Sequence, residues 1–327
     1  MPKELPTSWL DKAPAKYDDD LAEMDDFFRG LAEKYIRETP DLRQQSLAQL
    51  RDWIAKHPHI RRVRTDAPFL LRFLRTKKYN FINASKQLER YLAVRMLHRK
   101  YFERLDVEDP EFGALIGSGF LVPMPERDAK GRTVIFSTAK DVDAERFTVH
   151  QLSRAHFLLM EVLNDSNEFQ CGGFVSVLDF SGLTMAHVNL VGVNDIRLQV
   201  NVSANATPVR AQEMHFINAP SLLTTAINLV MKLTSEKLRN RIFFHQSWDE
   251  LYARVDKSLL PKEYGGSVPM EKLVADFKDR CRELRPQLLA NDEMELEVTK
   301  DSEYWQESSD LELESGAIGS FRKLQVD

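Results

Sequence analysis

Residues 208–245 read PVRAQEMHFINAPSLLTTAINLVMKLTSEKLRNRIFFH, and three patterns follow one another in this stretch. Residues 208–218 and 241–246 contain short apolar runs with aromatic members, which are typical of strands. Between them, residues 220–233 repeat apolar side chains at helical spacing. The stretch therefore predicts a strand, a helix and a second strand.

The same alternation extends towards the N-terminus. Residues 132–140 and 172–182 have strand patterns, and residues 150–166 and 186–206 have helical patterns. Strand and helix alternate through about Val268, which predicts an α/β fold with a mostly parallel sheet. The runs FVSVL and IFFH are continuously apolar, as expected for strands that helices cover on at least one face.

The N-terminal third predicts a helical bundle. Asp66 is a predicted N-cap ahead of Pro68, and in the following helix Phe69 and Phe73 mark a buried face while Arg72 and Arg75 fall on the other face. We expect an N-terminal helical domain over residues 1–105, an α/β domain over 106–269, and a C-terminal helix with a tail over 270–327.

The tail beyond about Ala290 is acidic, with 11 Asp and Glu against 3 Lys and Arg in residues 291–327. This composition indicates a poorly ordered segment. The closing GAIGSFRKLQVD regains apolar character at Ile318, Phe321 and Leu324, and both a docked end and a free end fit this pattern.

Composition excludes several classes of protein. No run of about 18 apolar residues exists, which argues against a membrane-spanning helix. The N-terminus lacks the pattern of a secretory signal, and the two cysteines, Cys171 and Cys281, suit a reducing compartment. Lys and Arg form no concentrated stripe with aromatic residues among them, which argues against nucleic-acid binding. We expect a cytoplasmic protein.

The sequence offers no grouping of residues that would organise a reaction. Nucleotide-binding glycine motifs, the HExxH motif and the GxSxG motif are absent. Asp179 follows a strand without a base or metal partner, and we interpret it as a cap or turn residue. His150, His156, His215 and His245 are dispersed among the predicted elements. We predict no enzymatic activity, no catalytic residue, no metal site and no cofactor other than a bound lipid.

The helix over residues 220–233 has more apolar surface than one buried face requires. Leu223, Ile227 and Val230 form one stripe, and a neighbouring stripe comprises Leu222, Ala226, Leu229 and Leu233. Two interpretations fit this pattern. The helix is buried on two sides, or it is a lid that covers an apolar ligand with one stripe and meets a bilayer with the other.

Cations flank this helix. Arg210 precedes the strand before it, and Lys232, Lys237, Arg239 and Arg241 follow it. Basic residues beside apolar stripes suit an anionic membrane surface. Taken by itself, however, the SEKLRNR run is more simply explained by a solvated helix face.

Four segments in order resemble the CRAL-TRIO family of lipid-binding proteins, in its tocopherol-transfer, retinaldehyde-binding and clavesin branch. They are TDAPFLLRFLRTKKYNFINA, GGFVSVLDFSGLTMAHV, residues 208–245 and LLPKEYGGSVP, and they span about Asp66 to Pro269. The resemblance implies an N-terminal helical domain followed by an α/β domain whose sheet floors a lipid cavity. It also implies a mobile gate helix, which matches Ala219–Leu233 here.

The resemblance further implies a phosphoinositide head-group site next to the gate. Its positions match Lys77, Arg210, Lys237 and Arg241, whereas a fifth family cation falls on Gln212. The positions that would face the membrane match Leu222, Ala226 and Leu229.

The pocket residues match the family less well. Two small hydroxylated positions of the tocopherol-binding relatives correspond to His156 and Met160. We place thirteen side chains along the cavity: His156, Phe157, Met160, Phe174, Ser176, Leu178, Val191, Val202, Ser203, Met214, Leu223, Ile227 and Val230. The cargo stays open among tocopherol-like, retinoid, carotenoid, sterol and phospholipid ligands.

Two functions follow from the resemblance. The first is a carrier that holds one hydrophobic lipid and exchanges it at phosphoinositide-containing membranes, with transient association with endosomal or other phosphoinositide-rich membranes. The second is a trafficking or interaction protein that mainly recognises phosphoinositide membranes and contacts an unknown protein partner through its N-terminal helices.

Overall fold

A computed structural model describes residues 5–19, 22–299 and 304 of the 327-residue chain. Its α-helices are α1 Asp26–Leu31, α2 Pro40–Lys56, α3 Ala67–Thr76, α4 Phe81–Leu97, α5 Pro110–Gly117, α6 Val149–Leu163, α7 Asn167–Gly172, α8 Met185–Leu190, α9 Val193–Asn201, α10 Thr224–Leu233, α11 Glu236–Arg239, α12 Trp248–Tyr252, α13 Met270–Glu283 and α14 Arg285–Ala290. Its strands are β1 Ile60–Arg62, β2 Leu121–Arg127, β3 Thr133–Thr138, β4 Phe174–Asp179, β5 Ala211–Ile217, β6 Ile242–His245 and β7 Glu295–Leu296.

The central sheet has five strands in the order β2-β3-β4-β5-β6. The four strands from β3 to β6 are parallel, and β2 pairs antiparallel with β3 at one edge. The mostly parallel α/β sheet that the alternating pattern predicts is therefore confirmed. Strand β2 was not predicted, because its sequence LVPMPER contains two prolines that weaken the strand pattern.

Helices cover both faces of this sheet. On one face, helices α12 and α13 pack on the strands over a closed core that contains Val134, Val175 and Val177. On the other face, α6 packs against β2, and its buried residues share a core with Phe174 and the start of α5. This second face carries the candidate site.

The helical N-terminal domain begins as the sequence predicts. The side chain of Asp66 caps α3 by accepting a hydrogen bond from the backbone N–H of Phe69 at 3.1 Å, and Pro68 lies in the first turn. Phe69 and Phe73 are fully buried in the domain core. Their burial confirms the apolar face of α3.

The opposite face of α3 is buried as well, which the sequence interpretation did not foresee. Arg72 and Arg75 are each only 1% exposed, although their spacing places them on the polar side of the helix. Glu161 of α6 and Asp165 of the loop after it supply carboxylates to Arg72, and Asn167 and Gln170 of α7 supply amide oxygens to Arg75. The carboxylate partner of Arg75 is Glu38, on the N-terminal side of the interface. The predicted polar face is therefore the interface between the two domains.

Two predicted segments differ from the structure. The predicted helix over residues 186–206 is divided into α8 and α9, because the chain is extended at Val191 and Gly192. The acidic tail was predicted to be poorly ordered beyond Ala290, and this is wrong for residues 291–299. Strand β7 pairs with β1 of the N-terminal domain and buries Leu296. The closing GAIGSFRKLQVD lies outside the described residues.

Candidate functional site

The floor of the candidate site is the inner face of the sheet. Alternate residues of a strand point to opposite faces, and the register pairs Ser176 with Met214 and Leu178 with Phe216. These four side chains therefore share one face. Ser176 is 9% exposed, whereas Leu178, Met214 and Phe216 are only half-buried.

The two faces of the same strands differ in packing. On the outer face, Val177 and Ile217 are completely buried in a closed core. On the inner face, none of the four cores formed by the described residues includes Leu178 or Met214. The inner face of β4 and β5 is thus an apolar surface that the described side chains leave partly uncovered.

The other predicted pocket residues divide into two groups. Phe157, Phe174 and Val202 belong to the closed core beside the sheet, where Phe157 packs on Phe102 with ring centroids 4.2 Å apart. Outside that core, Val191 is half-buried at the break between α8 and α9, and Ser203 is exposed.

Two predicted pocket residues lie one turn apart on α6. Met160 is half-buried and packs against the core, whereas His156 is exposed.

The predicted gate helix is α10, preceded by a short 3-10 turn at Ser221–Leu223. Leu223 is 9% exposed, and Ile227 and Val230 of the same stripe are half-buried. In the second stripe Ala226 and Leu229 are also half-buried, and Leu233 is 41% exposed. The side chain of Leu222 lies outside the described part of the chain.

A polar stripe of α10 faces solvent, and it contains Thr224, Asn228 and Lys232. The predicted membrane-facing positions Ala226 and Leu229 are therefore not the most exposed part of the helix. Their contact with a bilayer would be increased by a rotation or displacement of α10.

Few interactions fix the gate helix to the body. Its N-cap, Leu223, contributes no side-chain hydrogen bond, and its side chains belong to none of the four cores of the described residues. Thr224 donates to the carbonyl of Ser221 at 2.7 Å, which is a contact within the same segment. Elements with few buried apolar contacts are those that open at low cost in free energy.

The predicted cations fall into two pairs, Lys77 with Lys237 and Arg210 with Arg241. Burial lowers the pKa of Lys77, and the charges of Arg90 and Lys237 lower it further. Burial likewise lowers the pKa of Arg210, with a contribution from Arg241. A cation that lowers the pKa of a neighbouring cation lies close enough to repel it, and an anion bound between the two would relieve this repulsion.

None of the four predicted head-group residues forms an ion pair with a carboxylate of the described residues. The guanidinium of Arg210 donates to the carbonyl of Cys171, and that of Arg241 donates to the carbonyl of Ala211. Gln212, which replaces the fifth family cation, donates to the carbonyl of Gly172 at 3.3 Å. These carbonyl contacts hold the side chains in place without neutralising the positive charge.

Backbone geometry positions Lys77 and Arg210. After α3 the chain turns through Lys78 and Tyr79, whose φ angles of 51° and 61° lie in the left-handed region. Gly173 has a φ of 73°, and a Cβ there would lie 2.2 Å from the carbonyl oxygen of Arg210. Position 173 therefore requires glycine, because the chain enters β4 there in close contact with the backbone of Arg210. In the sequence, the Gly172-Gly173 pair indicates this close approach.

Asp179 behaves as the sequence interpretation predicts. Its Oδ1 accepts hydrogen bonds from the backbone N–H of Ser181 at 2.9 Å and from the side-chain amide of Asn218 at 2.8 Å. These contacts join the ends of β4 and β5. Asp179 is therefore a turn residue.

Sequence reasoning missed a pair of histidines on the outer face of the sheet. His215 and His245 were interpreted as dispersed, but neighbouring strands bring their rings together with Nδ1 of His215 at 2.9 Å from Nε2 of His245. Glu213 lies 3.3 Å from the other nitrogen of His215 and forms an ion pair with Arg132. The adjacency of β5 and β6 creates the pair, and no spacing in the sequence reveals it.

The described part of the chain contains no group of three or more His, Cys, Asp and Glu residues that could hold a metal ion. Among the same residues, no helix is long and apolar enough to cross a membrane. Cys171 and Cys281 are both buried as free thiols.

Comparisons with known proteins agree with this arrangement. The family model of the CRAL/TRIO domain matches residues 117–266, and the model of the Pinta-like UBA domain matches residues 39–112. Clavesin-1 of Xenopus laevis is 31% identical over 235 residues, which cover 72% of this chain and 71% of the relative. Clavesin-1 of Mus musculus is 30% identical over 261 residues, with 77% and 74% covered. Clavesin-2 of Homo sapiens is 29% identical over 235 residues, with 72% of each chain covered.

Proposed function

Because this chain belongs to the CRAL-TRIO lipid-binding family, we propose that it carries one hydrophobic lipid behind α10 and exchanges the lipid at phosphoinositide-containing membranes. One observation carries the proposal. The α/β domain combines an uncovered apolar floor on β4 and β5, an amphipathic helix outside the closed cores, and the cations Arg210, Lys237 and Arg241, and Lys77 at the end of α3 lies near Lys237.

The apolar floor supports the lipid part of the proposal. Burial of apolar surface stabilises a complex by about 25 cal/mol per Å², so a lipid that covers Leu178, Met214 and Phe216 would be bound firmly. Release then depends on movement of α10, since an enclosed ligand leaves only when its cover opens.

The cations support the membrane part. Each Lys or Arg near an anionic surface contributes about 1 kcal/mol to binding. Arg210 directly precedes β5, Lys237 lies on α11 just after the gate helix, and Arg241 directly precedes β6. Lys77 lies close enough to Lys237 for the two charges to interact. A phosphorylated inositol head group bound there would attract the protein to the membrane close to α10.

Lipid extraction and vesicle binding test the two parts separately. Native mass spectrometry of the protein from its own tissue should show one bound lipid per chain. In a sedimentation assay, vesicles of phosphatidylcholine with about 5% phosphatidylinositol phosphate should capture the protein. Lys77→Ala combined with Lys237→Ala should weaken capture by about 2 kcal/mol, or roughly thirtyfold, because two cations are removed. We expect the variant to fold, since no described contact depends on either side chain.

A matched control removes the same charge elsewhere. Lys257, Lys262 and Lys272 are exposed in the region of α12 and α13, and a double Lys257→Ala, Lys262→Ala variant should keep wild-type capture. Retained capture in the Lys77 and Lys237 variant would contradict the head-group site. An empty protein that acquires no lipid, yet binds the vesicles specifically, would favour a membrane-recognising trafficking protein instead.

A further inference from the structure

Among the described elements, α9 is the helix against which α10 packs most extensively. Helix α9 is itself weakly embedded, since Leu198 is the one residue of Val193–Asn201 that is buried and the others are half-buried. A helix with so few buried apolar contacts needs other interactions to keep its position. The contacts that hold α9 therefore also determine how firmly α10 is supported.

Two polar contacts hold α9 near its two ends. Near its start, the hydroxyl group of Tyr101 donates a hydrogen bond to Oδ1 of Asp195 at 2.5 Å. Near its end, the side-chain amide of Gln199 donates to the hydroxyl group of Ser153 on α6 at 2.7 Å. A hydrogen bond to a carboxylate is about twice as strong as one between neutral groups. The contact with Tyr101 is therefore the stronger of the two.

The other carboxylate oxygen of Asp195 caps the same helix. Oδ2 accepts a hydrogen bond from the backbone N–H of Gly192 at 2.9 Å, in the extended segment between α8 and α9. Through this one carboxylate, the start of α9 is joined both to the segment before it and to Tyr101.

Tyr101 lies at the end of the N-terminal helical domain. It belongs to the 3-10 turn Arg99–Tyr101, shortly after α4, and it is 4% exposed. Its ring packs against that of His150 at the start of α6, with ring centroids 4.7 Å apart. The tyrosine is therefore fixed by packing, and it presents its hydroxyl group to α9 from a defined position.

We propose that Tyr101 is a positioning residue for lipid exchange: its hydrogen bond to Asp195 holds the start of α9 in place, and α9 in turn keeps α10 closed over the apolar floor. The N-terminal domain thus limits the rate of lipid release through a residue that contacts neither α10 nor the floor. The inference rests on the proposed carrier function, because it assigns part of the control of the gate to a residue outside the α/β domain.

Tyr101→Phe tests this role, because it removes one oxygen atom and keeps the ring. Hydrogen–deuterium exchange followed by mass spectrometry should show exchange that is about tenfold faster in α9 and α10, as expected when a hydrogen bond to a charged group is lost. The exchange rate in β3 to β5 should stay unchanged. A general loss of stability would instead raise exchange in the sheet as well.

Tyr91→Phe is the matched control. Tyr91 is 5% exposed, and its hydroxyl group donates to the carboxylate of Glu161 at 2.7 Å, so this variant loses the same kind of contact in the interface between the domains. It should leave exchange in α9 and α10 at the wild-type rate. Asp195→Ala removes the other side of the Tyr101 contact. The double variant Tyr101→Phe, Asp195→Ala should therefore behave as Asp195→Ala alone.

Lipid release is measured on the same variants. Each protein is loaded with retinol, dehydroergosterol or α-tocopherol, or keeps the lipid that copurifies with it, and is mixed with acceptor vesicles of phosphatidylcholine and phosphatidylinositol phosphate. Tyr101→Phe should release its lipid about tenfold faster than the wild type, and Tyr91→Phe should release it at the wild-type rate. Vesicle capture should be equal in the three proteins, because no head-group cation is changed.

The outcomes separate the inference from the function on which it rests. Wild-type protein that holds none of the three probes and no copurified lipid would overturn both the carrier function and the inference. If the wild type does carry lipid, an unchanged release rate in Tyr101→Phe, an equal acceleration in Tyr91→Phe, or additive effects of Tyr101→Phe and Asp195→Ala would overturn the inference alone. If thermal unfolding shows that Tyr101→Phe is not folded, Asp195→Asn takes its place. This variant removes the charge from the same hydrogen bond, and unchanged release would again overturn the inference.

Discussion

Arg72 of the N-terminal domain donates a hydrogen bond from its Nε to Oδ1 of Asp165 at 2.7 Å, across the boundary between the two domains. Arg72 also donates to Glu161 at 2.7 Å, and Arg64 donates to a second oxygen of Asp165 at 2.9 Å. The arginine side of these ion pairs is shielded from water, since Arg64 and Arg72 are each 1% exposed, whereas the side chain of Asp165 is 23% exposed. A buried charge depends on its partners far more than a surface charge does.

We expect Arg72→Met to lower the free energy of unfolding by about 3 kcal/mol, because buried Glu161 and partly buried Asp165 would each lose one of the cations that compensate their negative charge. Urea unfolding followed by circular dichroism measures this change. The matched control is Arg282→Met, which removes an arginine that pairs with Glu108 on the surface, and it should leave the midpoint almost unchanged. Equal midpoints for the two variants would contradict a stabilising role of the buried pairs.

The same network predicts a dependence on acid. Burial would raise the pKa of Asp165, but Arg64 and Arg72 outweigh it and lower the pKa to about 2 from 3.8. A carboxylate with a depressed pKa contributes stability above its unfolded pKa and loses it as the pH falls through the folded value. The free energy of unfolding should therefore decrease between about pH 4 and pH 2, and the decrease should be smaller in Asp165→Asn. An unchanged slope in the variant would exclude Asp165 as a cause.

Secondary-structure elements could be predicted from the sequence better than the contacts between them. Local periodicity identified β3 to β6, α6 and α10, because each pattern is contained in one segment. It could not predict that Arg72 is buried, since the partners Glu161 and Asp165 lie about 90 residues further along the chain. The pairing of His215 with His245 was missed for the same reason. Interactions between distant segments depend on topology, which periodicity does not encode.

At position 173, we expect the addition of a single methyl group to destabilise the fold. Gly173→Ala would place Cβ 2.2 Å from the carbonyl oxygen of Arg210 at a φ of 73°, so we expect a loss of at least about 2 kcal/mol in the free energy of unfolding. Gly30→Ala is the control, because no atom lies within 4 Å of the added Cβ and the residue is in helix α1. It should stabilise by about 0.5–1 kcal/mol. If Gly173→Ala leaves the free energy of unfolding unchanged, the N-terminal ends of β4 and β5 can move apart to accommodate the methyl group.

The histidine pair predicts a second change with pH, at higher pH than Asp165. Burial lowers the pKa of His215 to about 4, and the charges of His245 and Arg254 act in the same direction against Glu213. Stability linked to a neutral buried histidine is complete above the unfolded pKa of about 6.5 and is lost as the pH falls towards the folded value. The free energy of unfolding should therefore decline between about pH 7 and pH 4, and His215→Gln should reduce this decline. His59→Gln, which replaces an exposed histidine, should leave this decline unaltered.

Gln212 offers a test in which affinity is gained. It stands where the resembling family has a cation, two residues after Arg210, and its amide donates to the carbonyl of Gly172. Gln212→Arg adds one positive charge to the cluster, which should strengthen binding to phosphoinositide vesicles by about 1 kcal/mol, or about fivefold, with a steeper dependence on salt. Gln246→Arg is the matched control, because it adds the same charge just after the C-terminal end of β6. The strand separates this position from Arg241 by roughly 15 Å, which exceeds a Debye length of about 8 Å. If the two variants gain equally, the vesicles respond to net charge alone, and the head-group site formed by Lys77, Arg210, Lys237 and Arg241 does not determine where the membrane binds.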